Sequence, residues 1–201
     1  MPTPSCGDPL VTEDVPLPPG RGGAWLVSMH PLARHRCLAH LTDCAGCLGI
    51  AVSMFPLGAV IVRTTDLASR PWFGHVVSVV PPVIATVVAA RAESGPSRAT
   101  WGKRRQGLEV VRRDGGAPTP REALVRSAAK ILVPWQLGHT ATISAAWGGF
   151  EKRDPVTYAS NIAVYGLIGW FAWTGLRGDG RGPHDRLAGT HVVPAAGPVG
   201  V

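Results

Sequence analysis

The chain has 201 residues, 45% of them hydrophobic and only 16% charged, with a formal net charge of +7. Soluble proteins carry ~25% charged residues, so this composition argues against one or two soluble globular domains. The excess positive charge would suit nucleic acid, but the basic residues sit between long uncharged blocks, which is the pattern of a membrane topology.

Residues 1–23 are rich in Pro and Gly, carry Asp8, Glu13 and Asp14, and hold no apolar core. They read as a disordered tail and not as a cleavable signal peptide. Residues 24–35, AWLVSMHPLARH, read as a short amphipathic approach interrupted at Pro31. The first membrane span is predicted over about 36–62, because 19 residues from Cys44 to Val62 pass without one charge. At ~1.5 Å rise per residue that length crosses a ~30 Å hydrocarbon layer. Pro56 is expected to kink its far half. The second span is predicted over about 71–90, with Trp72 and Phe73 at an interface and Pro81-Pro82 expected to bend or break it mid-membrane.

Residues 91–119 form the longest polar connection, in which GLEVVRRDGG reads as a short strand closing in an Asp114-Gly115 turn. Thr119, Pro120 and Glu122 then make a helix start: a cap, a first-position proline and the far member of a capping box. The third helix is predicted over about 120–147 and the fourth over about 156–176. The Gly/Pro-rich remainder holds one denser motif, GPHDRLAGTHVV. The expected fold is an all-α membrane protein, a bundle of four transmembrane helices within residues 24–193, with a short β-like cytoplasmic loop between helices 2 and 3 and a tail at 194–201.

Lys and Arg fix the expected orientation. The segment through Arg36 has three, the 91–126 connection nine and the segment after 176 three, against two in each of the other two loops. Both termini and the long loop are therefore expected in the cytoplasm of a multi-pass protein of the cell membrane.

Asp43 sits just inside the cytoplasmic end of the first span, where an ionised carboxylate is expensive. It reads equally as an ion or proton site and as a buried carboxylate tying helices together. Arg36 lies two turns earlier on the same face and His40 one turn earlier, while Arg126 and Lys130 enter from the same side on helix 3. Either Arg126 or Lys130 would neutralise Asp43 and lower the cost of its burial; with no cation in reach, desolvation would favour a protonated, proton-exchanging carboxyl. His40, Asp43, Cys44 and Cys47 share one helical face and offer metal-ligand atoms, and CAGC at 44–47 has redox spacing. Small Cys, Ala and Gly residues more simply permit close helix packing, so no metal or cofactor is expected. His75 and His139 lie in other spans and read as packing residues. Lys103-Arg104-Arg105 and Arg112-Arg113 are expected to meet anionic lipid head groups beside the membrane and not nucleic acid. GKRRQG lacks phosphate-loop spacing and no nucleophile elbow occurs, so no enzyme activity is expected.

Several of these motifs together resemble the RDD family of bacterial membrane proteins, named for one arginine and two aspartates. Arg36 and Asp43 in RCLAHLTD look like the arginine and first aspartate, and Asp185 in HDRLAGTHVV looks like the second. Between them, TWGKRRQGLEVVRRDGG resembles the family's TxGKRxxGLxVVxxDG loop, carried by Thr100, Gly102, Lys103, Gly107, Leu108 and Gly115, and ALVRSAAK resembles the segment after it, with Arg126 at the arginine position. The cysteine-rich first helix with His40, and PWQLGHT in helix 3, depart from the pattern. The resemblance implies a membrane protein, with transport suspected for some members and assembly or peptide-resistance roles for others.

On this reading the leading expectation is exchange of a small monovalent cation against H⁺. Asp43 would be the coupling carboxylate, tuned by Arg36, with Arg126 or Lys130 competing for it; Asp185 would pair with Arg36 or the loop cations at the entrance. Four helices are few for a transporter, so a homo-oligomer is expected with it. The alternative is a non-transporting scaffold, assembly or immunity factor in which the Arg/Asp set is a structural clasp. Transport predicts a polar cavity reaching Asp43, and the clasp predicts a dry, fully paired Asp43.

Overall fold

The structure, a computed structural model, describes residues 29–195, so the expected tail at 1–23 and nearly all of that at 194–201 lie outside the described residues. It is mostly helical. The first apolar block forms α1 (Ala33–Ser53) and α2 (Phe55–Thr64), joined through Met54. Pro56 has no N–H to close its turn, so the chain tightens there instead, with Met54 N–H donating to the Ala51 carbonyl at 3.2 Å. Thus the predicted kink falls just before the proline. A short 3₁₀ turn, Asp66–Ser69, leads into α3 (Pro71–Ser94).

α3 differs from expectation twice. It runs unbroken through Pro81 and Pro82, and it continues past residue 90 to Ser94. The prolines deprive only the Val77 and Ser78 carbonyls of their donors, and the turns on both sides hold the helix together. The four extra residues carry Glu93 into the last helical turn.

The basic loop also carries more structure than its composition implies. Thr100 opens a short helix, α4 (Trp101–Arg105), and Gly107 turns the chain in the left-handed region (φ 61°) into β1 (Leu108–Arg112). The turn at Gly115 follows, closed by Arg112 N–H to the Gly116 carbonyl at 2.9 Å. β1 is not part of a local hairpin. Its antiparallel partner is β2 (Thr190–Pro194), with Val110 opposite Val192 and Leu108 opposite Pro194. The expected β-like loop is therefore half of a two-stranded sheet whose other half is the closing motif. Leu108, Val110 and Val192 turn their apolar face onto Ala39 of α1.

The capping box at Thr119 and Glu122 is formed, with Glu122 N–H donating to Thr119 Oγ1 and Thr119 N–H to Glu122 Oε2. α5 (Pro120–Ser127) passes through a π-helical turn, Ala128–Leu132, into α6 (Val133–Ala146). Pro134 cannot bond the Lys130 carbonyl, and its ring would clash with it, so the wider turn absorbs the misfit. A tight turn returns the chain as α7 (Pro155–Leu176), which packs along α6. Asp154 caps it by accepting from Val156 and Thr157 N–H. Finally α8 (Pro183–Ala188) stops at Gly189 (φ 67°) and feeds β2.

Among the described residues, two stretches are long and apolar enough to cross a membrane: Ala33–Thr64 with mean hydropathy 2.1 and Trp72–Ser94 with 1.9. α5–α6 and α7 have the length but fall short of that hydropathy, α7 without a single charged residue from Pro155 to Leu176. The start of α1, the end of α3, the start of α5 and the end of α7 gather together, with α4, α8 and the sheet laid across them at that end.

Candidate functional site

The charged side chains converge at that end. The centre is Arg126 on α5, of which 1% is exposed. Its Nη1 donates to both oxygens of Glu93, each at 2.7 Å, and its Nε donates to Asp185 Oδ1 at 2.9 Å. Lys103 Nζ donates to Glu93 Oε1 at 2.6 Å and to Thr100 Oγ1 at 3.3 Å. Thr100 in turn donates its hydroxyl to Asp43 Oδ2 at 2.6 Å, and Gly102 N–H donates to Asp43 Oδ1 at 2.9 Å. One continuous polar chain therefore runs from α1 through α4, α3 and α5 to α8. Glu93, Lys103, Arg126 and Asp185 are all at most 4% exposed, and such a set persists only when its charges are matched and hydrogen-bonded.

Asp185 is further held by Gly182 N–H at 3.2 Å and Thr190 Oγ1 at 3.4 Å, and His184 Nε2 lies 3.4 Å from Oδ2. Burial pushes its carboxyl up, but the Arg126 guanidinium outweighs that and holds it at about 2. Burial also presses the His184 imidazole down to about 3, against the pull of Asp185, so the ring is neutral near pH 7.

These partners correct the expected ones. Arg36 meets neither Asp43 nor Asp185: it donates from Nη1 to the Gly180 carbonyl and from Nη2 to the Val192 carbonyl at 2.8 Å, tying α1 to the closing segment. Seven residues separate Arg36 from Asp43, but the two look to different neighbours, one to the C-terminal motif and one to α4. Arg126 does not compete for Asp43, because Glu93 and Asp185 occupy it. Asp43 has no ion-pair partner among the described residues and is satisfied by neutral donors instead. Lys130, in the π-helical turn, forms neither an ion pair nor a hydrogen bond among the described residues. His40 lies against Cys44, with Nε2 3.6 Å from Sγ. No three His, Cys, Asp or Glu side chains converge to hold a metal ion among the described residues.

The loop motif acquires a physical meaning here. Gly102 is buried where α4 crosses α1, and a Cβ would collide with the Ala39 carbonyl oxygen and the Asp43 carboxylate. The close approach is what lets its N–H reach Asp43. Gly107 supplies the positive φ and accepts Ala195 N–H at 2.8 Å. Glu93 was not singled out from the sequence. Its signal is weak: a single acid three residues beyond the last residue of an apolar run.

Two cavities flank α1. One, of about 350 Å³, runs from Asp43 and Glu93 past Ala89 to Ile50 and Trp135. The other, of about 340 Å³, runs from Arg36 and His184 to Ile168 and Phe171. His40, Lys130 and Pro134 line both. Asp43 is half-buried and both its oxygens are bonded, yet it borders the first cavity. It therefore meets neither the dry, closed-off extreme nor the open polar channel.

Compared with known proteins, the chain matches the family model described as the RDD family over residues 31–189. No curated protein matches it. No solved structure matches it either.

Proposed function

We propose, from the premise that this chain belongs to the RDD family and is a membrane protein, that its charged set is a structural clasp and that the protein serves as a non-transporting membrane scaffold or assembly factor. On this reading four helices span the cell membrane, both termini and the clasp lie on the cytoplasmic side, and the clasp presents α4, α8 and the sheet as one rigid surface there. The observation that carries it is the pairing of Arg126 with Glu93 and Asp185 while Lys103 completes Glu93. Three carboxylates are consumed by internal donors, and the bonds cross five helices.

The clasp reading makes Asp43 a hydrogen-bond acceptor first and a charge second. Asp43→Asn keeps an acceptor for Gly102 N–H; Asp43→Ala leaves that buried N–H and the Thr100 hydroxyl without their partner. Each lost charge-assisted bond costs about 1.5–3 kcal/mol. Thermal melting of the purified protein should therefore fall far more for Ala than for Asn. Equal, small shifts for both would overturn the clasp.

Exchange of a monovalent cation against H⁺ stays as a second reading on one observation, the cavity bordering Asp43. It requires a carboxylate that can trade partners, and here Asp43 is fastened to the backbone of α4.

A further inference from the structure

α1 packs chiefly on α4 and α3, and it stands off from α6 and α7. The first cavity opens between α1, α3 and the π-helical turn, the second between α1 and α7, and Lys130 and His40 stand at their junction. Between them the cavities are bordered by four cations, Arg36, Lys103, Arg126 and Lys130, against three carboxylates, Asp43, Glu93 and Asp185; the imidazoles of His40 and His184 face the same space. The carboxylates are already matched: Glu93 by Lys103 and Arg126, Asp185 by Arg126, Asp43 by Thr100 and Gly102. One positive charge is left over, and Lys130 is the cation with no partner among the described residues. Away from Lys130 the walls turn apolar, through Ile131 and Trp135 on one side and Ile168 and Phe171 on the other.

We propose that the groove beside α1 holds one anionic phospholipid, its phosphate on Lys130 and its acyl chains along the apolar walls that α3 and α7 present on either side of it. The charge complementarity selects the anionic head group, and the apolar walls select a lipid over a free anion. The π-helical turn has a role on this account: it widens the helix where Lys130 must reach sideways into the gap. This differs from the general attraction of the exposed loop cations Arg104 and Arg105 to a membrane surface, and it stands whether or not the clasp reading of the protein's function holds.

The test is lipid retention by the full-length protein, purified in detergent from mixed phosphatidylglycerol and phosphatidylcholine and read by native mass spectrometry. The wild type should keep about one phosphatidylglycerol per protomer in preference to phosphatidylcholine. Lys130→Gln should lose roughly fivefold of that preference, the effect of ~1 kcal/mol per basic group facing an anionic lipid, and Lys130→Arg should keep it. Arg104→Gln with Arg105→Gln should leave it unchanged. Equal retention of the two lipids by the wild type overturns the proposal without any variant. Unchanged preference in a folded Lys130→Gln also overturns it, as does displacement of the lipid by millimolar inorganic phosphate, which would mark a free-anion site.

Discussion

Replacing Arg126 with Met is the sharpest perturbation of the clasp. Met matches the aliphatic stem and removes the guanidinium, so Asp185 Oδ1 loses its Nε donor and both Glu93 oxygens lose Nη1. Glu93 retains Lys103, but Asp185 keeps only Gly182 N–H, the Thr190 hydroxyl and the neutral His184. Removing one partner of a buried ion pair costs about 3–5 kcal/mol, since the remaining charge stays buried and uncompensated. For a chain of this size that is a fall of roughly 6–20 °C in melting temperature. Scanning fluorimetry in a neutral detergent reads it directly. The companion double variant Arg126→Met, Asp185→Asn removes the carboxylate that the single change orphans, leaves the Glu93–Lys103 pair intact, and should recover much of the loss. If Arg126→Met melts within about 2 °C of wild type, at or below the shift expected for ~1 kcal/mol, the charges do not hold the elements together and the reasoning fails.

Other outcomes follow from the same geometry. Gly102→Ala should destabilise by about 1–3 kcal/mol, because its Cβ must push α4 off α1; an unchanged melting temperature would mean the loop is loose there. Arg36→Lys should not replace Arg36, since one ammonium does not reproduce the fork that reaches the Gly180 and Val192 carbonyls, and limited proteolysis should then cut the closing segment faster. Stability should fall on acidification in two stages. His184 is depressed to about 3, so the unfolded chain takes up its proton first and stability is lost from about pH 6.5 downward. Asp185 is depressed to about 2, so its contribution is complete above about pH 4 and drains away as pH falls through 2. His184→Gln should flatten the upper stage in a pH series of melting temperatures.

What was legible in the sequence was local. The uncharged run after Cys44, the capping box at Thr119 and the strand before Gly115 all depend on residues within a few positions of each other, and each appears in the structure. Partnerships across the chain were not legible. β1 pairs with a segment about 80 residues later, and the alternation of Val110 and Val192 toward the core carries no mark of which strand answers which. Arg36 and Asp43 look coupled by helical periodicity, yet α4 on one side and the closing motif on the other separate them. Glu93 was hidden because an apolar count ends a helix at its last apolar residue, whereas the helix continued until its acid met Arg126 and Lys103.

Flux through the reconstituted protein tests the central claim most directly. Vesicles carrying the wild type, Asp43→Asn or no protein are given a pH gradient, and its dissipation on adding Na⁺ or K⁺ is followed. The clasp account predicts the same background rate in all three. Cation-dependent dissipation by the wild type, abolished in an Asp43→Asn protein that still melts like the wild type, would contradict it.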